Sequence, residues 1–340
     1  MAASRNYLPS PRCKFDPGKA NRMTGQPSKL LSYARLLRLP AVFTAMADII
    51  MGFGFVHRTW EHWPVLVVLL GASCLMYLAG MVLNDVYDLE VDRVERPQRP
   101  LPAGLIDAGW AWTLGMAMLL VGCSLGWAAS VLTADARPGV IATLLASLVF
   151  LYDRILKQTF LGPAGMGGCR MLNVLLGMSS GQFTVGMLAP ASVSNHWFFH
   201  PMQWLVAGGL GLYIVGVTLL ARREAEESPR GPLVLALLIM GCGLGLVGWF
   251  PAWFSGAPAF PAERWQWLIL IVSGLIGYRV VLAIVTPTPR IVQYAVENCL
   301  RSLILLDAVV VLFLRGPQTA FIILLLLAPA MLLRRWMYTT

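Results

Sequence analysis

Apolar stretches at 39–56, 64–83, 108–132, 140–156, 165–188, 204–220, 232–250, 265–285, 299–314 and 320–333 fill most of this 340-residue chain. A helix needs about 17 to 25 such residues to cross the hydrocarbon of a bilayer. In lipid the backbone must satisfy its own hydrogen bonds, so repeated runs of this length fold as helices. The last two runs are the least regular, and the sequence predicts an all-α, polytopic membrane bundle of nine or ten transmembrane helices. Composition agrees: 57% of residues are hydrophobic and 13% charged, against roughly 45 to 50% apolar in soluble domains.

Basic residues set the expected orientation, because they favour the cytoplasmic side of short loops. Lys29, Arg35 and Arg38 precede the first run, and Arg93, Arg96, Arg99, Arg154, Lys157, Arg222, Arg223, Arg230 and Arg290 follow runs two, four, six and eight. The opposite loops hold only Arg58, Arg137, Arg264 and Arg315. The N-terminus and the even-numbered exits are therefore expected in the cytoplasm of a multi-pass protein of the cell membrane. The net charge of +9 follows from this bias and from contact with anionic membrane lipids, and it calls for no nucleic acid.

Residues 1–30 are polar, include Pro9, Pro11, Pro17 and Pro27, and lack the apolar core of a signal peptide. They are expected to form a flexible cytoplasmic tail, leaving 31–340 as the transmembrane domain. The six cysteines fall singly, with no C-x-x-C pair, so neither disulfides nor zinc are indicated.

Asn84, Asp85, Asp88 and Asp92 end the second run with the spacing N-D-x-x-D-x-x-x-D. On one continuous helix the three carboxylates would share a face within about two turns. They would repel one another at the negative end of the helix dipole. Two things could relieve this: Arg93, Arg96 or Arg99 folding back from the proline-rich loop, or a bound divalent cation. Oxygen-only ligands suit Mg2+, which is commonly held by a few carboxylates together with substrate phosphates. Asn84, Asp85, Asp88 and Asp92 are thus the expected metal ligands, and the three aspartates the catalytic centre.

A second acidic stretch follows the sixth run, four helices later. It reads Ala221-Arg222-Arg223-Glu224-Ala225-Glu226-Glu227, with Glu224 and Glu227 three apart and able to face one way. The matched positions suggest a doubled four-helix unit with Glu224 and Glu227 as further metal ligands. Arg170 and Asn173 in the fifth run are costly in lipid and so are expected to face an anionic ligand or polar cavity. Asp48, Arg279 and Asp307 also lie within apolar runs, and Arg279 is a candidate partner for Asp307. These ionisable groups and the doubled unit keep a secondary transporter open as an alternative.

The residues Asn84 to Arg93, followed by Glu95-Arg96 and Arg99-Pro100-Leu101-Pro102-Ala103-Gly104, resemble the first signature of the UbiA superfamily of intramembrane prenyltransferases. Two segments depart from that family's pattern. Glu224 and Glu227 stand where aspartates are common, and Tyr152-Asp153-Arg154-Ile155-Leu156-Lys157 replaces Y-P-x-x-K-R. The Arg170, Asn173, Gly177 cluster and the glutamate motif look similar to the EboC-like branch. The resemblance implies a helical bundle with a central cavity, in which an isoprenyl diphosphate binds the two acidic sites through Mg2+. It further implies that Asn84, Arg99, Lys157, Arg170, Asn173 and Arg223 bind substrate, and that pyrophosphate leaves as the prenyl group passes to a hydrophobic acceptor. An aromatic ring is the usual acceptor; a non-aromatic alcohol or lipid is the alternative.

Overall fold

The computed structural model describes residues 29–181, 198–222, 230–254 and 256–339. Thirteen α-helices are present among them, and no strand. In chain order they are α1 (Lys29–Leu36), α2 (Val42–Val56), α3 (Trp63–Tyr87), α4 (Leu89–Glu95), α5 (Ala108–Thr133), α6 (Arg137–Arg154) and α7 (Gly162–Met178). Next come α8 (Pro201–Ala221), α9 (Arg230–Trp249), α10 (Ala262–Val285), α11 (Pro289–Arg315), α12 (Pro317–Leu325) and α13 (Leu327–Thr339).

Within the described residues each expected apolar run coincides with a helix or, at the C-terminal end, with the pair α12 and α13; the end of the fifth run, 182–188, lies outside them. Seven helical segments among the described residues are long and apolar enough to cross a membrane. The expected count of nine or ten includes three helices outside that group. Their composition explains this: α7 is 17 residues long, α6 includes Arg137, Asp153 and Arg154, and α11 includes Arg290, Glu297, Arg301, Asp307 and Arg315.

The helices pack as a closed circuit: α2 on α3, then α3 on α5, α5 on α6, α6 on α7, α7 on α8, α8 on α9, α9 on α10, α10 on α11, and α11 back on α2. The pairs α3·α5 and α8·α9 are the most extensive contacts of their respective halves, in keeping with a doubled unit. Many large apolar side chains look outward. Leu270, Ile271 and Leu275 on α10 are each about 60% exposed, as expected where lipid is the solvent. Inside, Phe250, Trp265 and Phe313 meet edge to face at 5.2 to 5.6 Å, and Trp265 Nε1 donates to the Val309 carbonyl at 2.7 Å.

Two helix crossings depend on glycine. A Cβ on Gly177 of α7 would lie 2.8 Å from the Ile49 carbonyl oxygen, and one on Gly52 of α2 would lie 2.8 Å from the Met178 nitrogen. Likewise, a Cβ on Gly209 of α8 would sit 2.8 Å from the Gly243 oxygen of α9. Small residues let helix backbones approach closely where lipid offers no hydrophobic drive for association. Because backbone cannot step aside as a side chain can, Gly177→Val is expected to lower stability by about 3 kcal/mol. The check is a thermal melt of the purified variant in detergent.

Candidate active site

The acidic motif does not lie on one straight helix. α3 ends at Tyr87, Asp88 (φ −92°, ψ 5°) makes a turn whose amide still bonds the Asn84 carbonyl at 3.0 Å, and α4 starts at Leu89. The single-helix expectation is thus corrected, for an electrostatic reason. Continuation would place all the acids at the negative end of one dipole, whereas the break puts Glu90 and Asp92 in the first turn of a new helix, where negative charge is favoured.

Asp85 and Asp92 are buried, at 4% and 2% exposure, and basic side chains answer each acid. Arg99 folds back from the proline-rich loop to place Nη1 2.6 Å from Asp92 Oδ2 and 3.3 Å from Asp85 Oδ1. Arg38, which precedes the first membrane run, reaches Asp85 Oδ1 with Nη2 at 2.6 Å. Lys157 Nζ lies 2.6 Å from Asp88 Oδ1 and donates to the Asn84 side-chain and main-chain oxygens, each at 3.3 Å. Of the arginines expected to fold back, Arg93 instead pairs with Glu90 at 2.6 Å on the exposed side of α4.

The exit of α8 joins this cluster. Arg222 Nη2 donates to the carbonyl oxygens of Lys157 and Thr159, which ties the end of the sixth membrane run to the turn that presents Lys157. Arg223, Glu224 and Glu227 lie outside the described residues. Arg38 and Arg222 are site residues that reading the sequence missed. Arg38 lies 47 positions from Asp85, and Arg222 63 positions from Thr159. In sequence they look like any basic residue at a membrane boundary.

Asn84, Asp85, Asp88 and Asp92 supply only oxygen, the donor chemistry of a hard divalent cation. Among the described residues no three acidic side chains converge on one point, because each is turned to a basic partner. The ammonium of Lys157, surrounded by oxygens of Asp88 and Asn84, stands in for a cation at this place. The residues therefore fit Mg2+, provided that Arg38, Arg99 and Lys157 exchange their carboxylates for other anions as it binds.

Arg170 and Asn173 belong to a separate buried network. Arg170 Nη2 contacts Asp48 Oδ1 at 2.7 Å and Asp307 Oδ2 at 3.7 Å, and it donates to the Thr44 carbonyl at 3.0 Å. Asn173 Nδ2 donates to Asp48 Oδ2 at 2.7 Å and to the Ala45 carbonyl at 3.1 Å, and Ser73 Oγ donates to Asn173 Oδ1 at 2.6 Å. The α2·α7 crossing at Gly52 and Gly177 brings these groups together. Asp307 is thus met by Arg170 and not by the candidate partner Arg279. The Arg279 guanidinium lies over the rings of Tyr294 and Tyr278, 5.3 and 5.9 Å from their centroids, because α10 turns it outward beside the exposed Tyr278.

The family model of UbiA prenyltransferases matches residues 45–290, a span that runs from α2 to the start of α11 and contains the acid turn. The chain belongs to the UbiA prenyltransferase family. A digeranylgeranylglyceryl phosphate synthase of Saccharolobus solfataricus is 34% identical over 132 residues, which are 38% of this chain and 44% of that protein. The matched part thus spans less than half of that relative's length. Among solved structures, one of digeranylgeranylglyceryl phosphate synthase superposes with a TM-score of 0.58 at 19% identity, covering 89% of this chain and 100% of that one. A UbiA homologue from Archaeoglobus fulgidus, bound to GPP and Mg2+, gives 0.53 at 18% identity, covering 79% and 98%. These structural likenesses carry the fold. As a UbiA family member with several apolar helices of membrane-crossing length, the chain is a multi-pass membrane protein.

Proposed function

We propose that this protein transfers an isoprenyl group from a prenyl diphosphate to the hydroxyl of a glyceryl lipid, with Mg2+, and releases pyrophosphate. One observation carries the reading: Asp85, Asp88 and Asp92 are clustered at the end of an apolar bundle, each facing a basic group that a diphosphate could take over. Family membership supports prenyl transfer. The relatives' names favour a glyceryl lipid as acceptor, and nothing in them matches the aromatic ring expected from the sequence.

Arg38, Arg99 and Lys157 bind diphosphate oxygens, with the arginines suited to paired contacts. The acids Asp85, Asp88 and Asp92, with Asn84, hold the cation. When bound, Mg2+ neutralises charge on the diphosphate and favours departure of pyrophosphate. The apolar helices around the prenyl chain exclude water, so that the acceptor and not hydroxide captures the allylic carbon. The excess of basic residues at the even-numbered exits supports a cytoplasmic position for this end of the bundle.

The test is turnover of geranyl diphosphate and Mg2+ by purified protein in lipid nanodiscs, offered either a monoprenylglyceryl phosphate or a ring acceptor such as 4-hydroxybenzoate. Prenylation of the glyceryl lipid is expected. Prenylation of the ring alone would overturn the acceptor assignment, and solute transport without diphosphate consumption would overturn the reaction. In the same assay Glu224→Gln is expected to lower kcat/KM about tenfold, the scale of lost support at a metal site. Full activity would make that stretch a solvated surface.

A further inference from the structure

One carboxylate oxygen beside the acid cluster has no hydrogen-bond partner among the described residues. Asp153, next to last in α6, is 2% exposed, and among the described residues its Oδ2 meets no hydrogen-bond donor. Lys157, Asp88, Arg38 and Asp85 all lie within its electrostatic reach. The two cations within that reach are engaged with other acids: Arg38 with Asp85 and Lys157 with Asp88. A buried carboxylate oxygen without a donor is costly unless something else uses it.

Its position suggests what that is. A Cβ on Gly80 of α3 would lie 3.8 Å from Asp153 Oδ2. Gly80 precedes Asn84 by one helical turn, about 6 Å further into the bundle than the acid turn. A diphosphate held by the acid cluster, with its chain running between apolar helices, would place its first carbon near this depth.

We infer that Asp153 is the base that takes the acceptor's proton, an inference that rests on the prenyl-transfer reading above. The acceptor hydroxyl oxygen forms a bond to the allylic carbon. The bond from that carbon to diphosphate oxygen breaks with its electron pair leaving on pyrophosphate, and the hydroxyl proton passes to Asp153 Oδ2. The substrate class implied is an alcohol, whose proton has to go to a positioned base in a site without water.

The experiment compares wild type, Asp153→Asn and Asp153→Ala in nanodiscs with geranyl diphosphate, Mg2+ and a monoprenylglyceryl phosphate. Transfer by the Asn variant is expected to fall on the order of 10³-fold, while its affinity for geranyl thiolodiphosphate with Mg2+ stays within about threefold of wild type, which also reports an intact fold. Added formate is expected to raise transfer by the Ala variant about tenfold and to leave wild type unchanged, since only a missing base is replaced in this way. Transfer within about threefold of wild type in the Asn variant would overturn the inference. Parallel loss of analogue binding with no response to formate would also overturn it. A wild-type protein that binds the analogue and transfers nothing, or binds none, fails the prenyl-transfer reading itself.

Discussion

Asp85→Asn and Asp88→Asn are each expected to lower Mg2+-dependent pyrophosphate release by on the order of 10³-fold, about 4 kcal/mol of transition-state stabilisation. The substitution keeps size and removes charge, so it isolates the electrostatic role. At Asp85 the change also frees Arg38 and Arg99 of their shared acid, and at Asp88 it frees Lys157. If those cations bind diphosphate, affinity for the substrate without metal should hold or rise while turnover collapses. That split between binding and rate separates loss of a metal ligand from loss of fold. Turnover close to wild type in both variants would remove the acids from the reaction. The measurement is steady-state pyrophosphate release, with affinity measured separately with and without Mg2+.

The second large effect is on stability. Arg170→Leu is expected to destabilise the protein by about 3 to 5 kcal/mol, the usual consequence of stranding buried charge. Asp48 and Asp307, both fully buried, lose the guanidinium they share, and the Thr44 carbonyl loses its donor. Three helices, α2, α7 and α11, lose their common polar anchor. The expected observation is a fall in melting temperature and in the yield of folded protein. If Arg170 served only to bind substrate, as its place in the sequence suggested, the melting temperature would hold and KM would rise.

The bundle was legible in the sequence because each apolar run has to satisfy its own backbone in lipid, and this requirement is local. The acid motif was legible for a similar reason: Asn84 to Asp92 is one contiguous segment, and the return of Arg99 was among the stated ways to relieve its repulsion. What escaped depends on contacts between distant positions. Arg38 and Arg222 carry no local sign that they meet Asp85 and the Lys157 turn, because any arginine at a membrane boundary is equally at home with lipid headgroups. Asp307 had two arginines within apolar runs to choose from, and only helix packing decides for Arg170. The break at Asp88 was missed because no proline or glycine lies between Asn84 and Asp92 to mark it. The reason to interrupt the helix is the summed charge of acids near one helix end.

The proposed reaction requires the acids to exchange basic side chains for a metal ion when substrate arrives. The direct measurement is a high-resolution map of the protein in nanodiscs with Mn2+ and geranyl thiolodiphosphate, read for ion density at the acid turn. The expected map has an ion bound by carboxylate oxygens from the Asp85 to Asp92 segment, with Arg38, Arg99 and Lys157 moved onto the diphosphate. Bound analogue with those three side chains still on Asp85, Asp92 and Asp88, and no ion beside them, would contradict it.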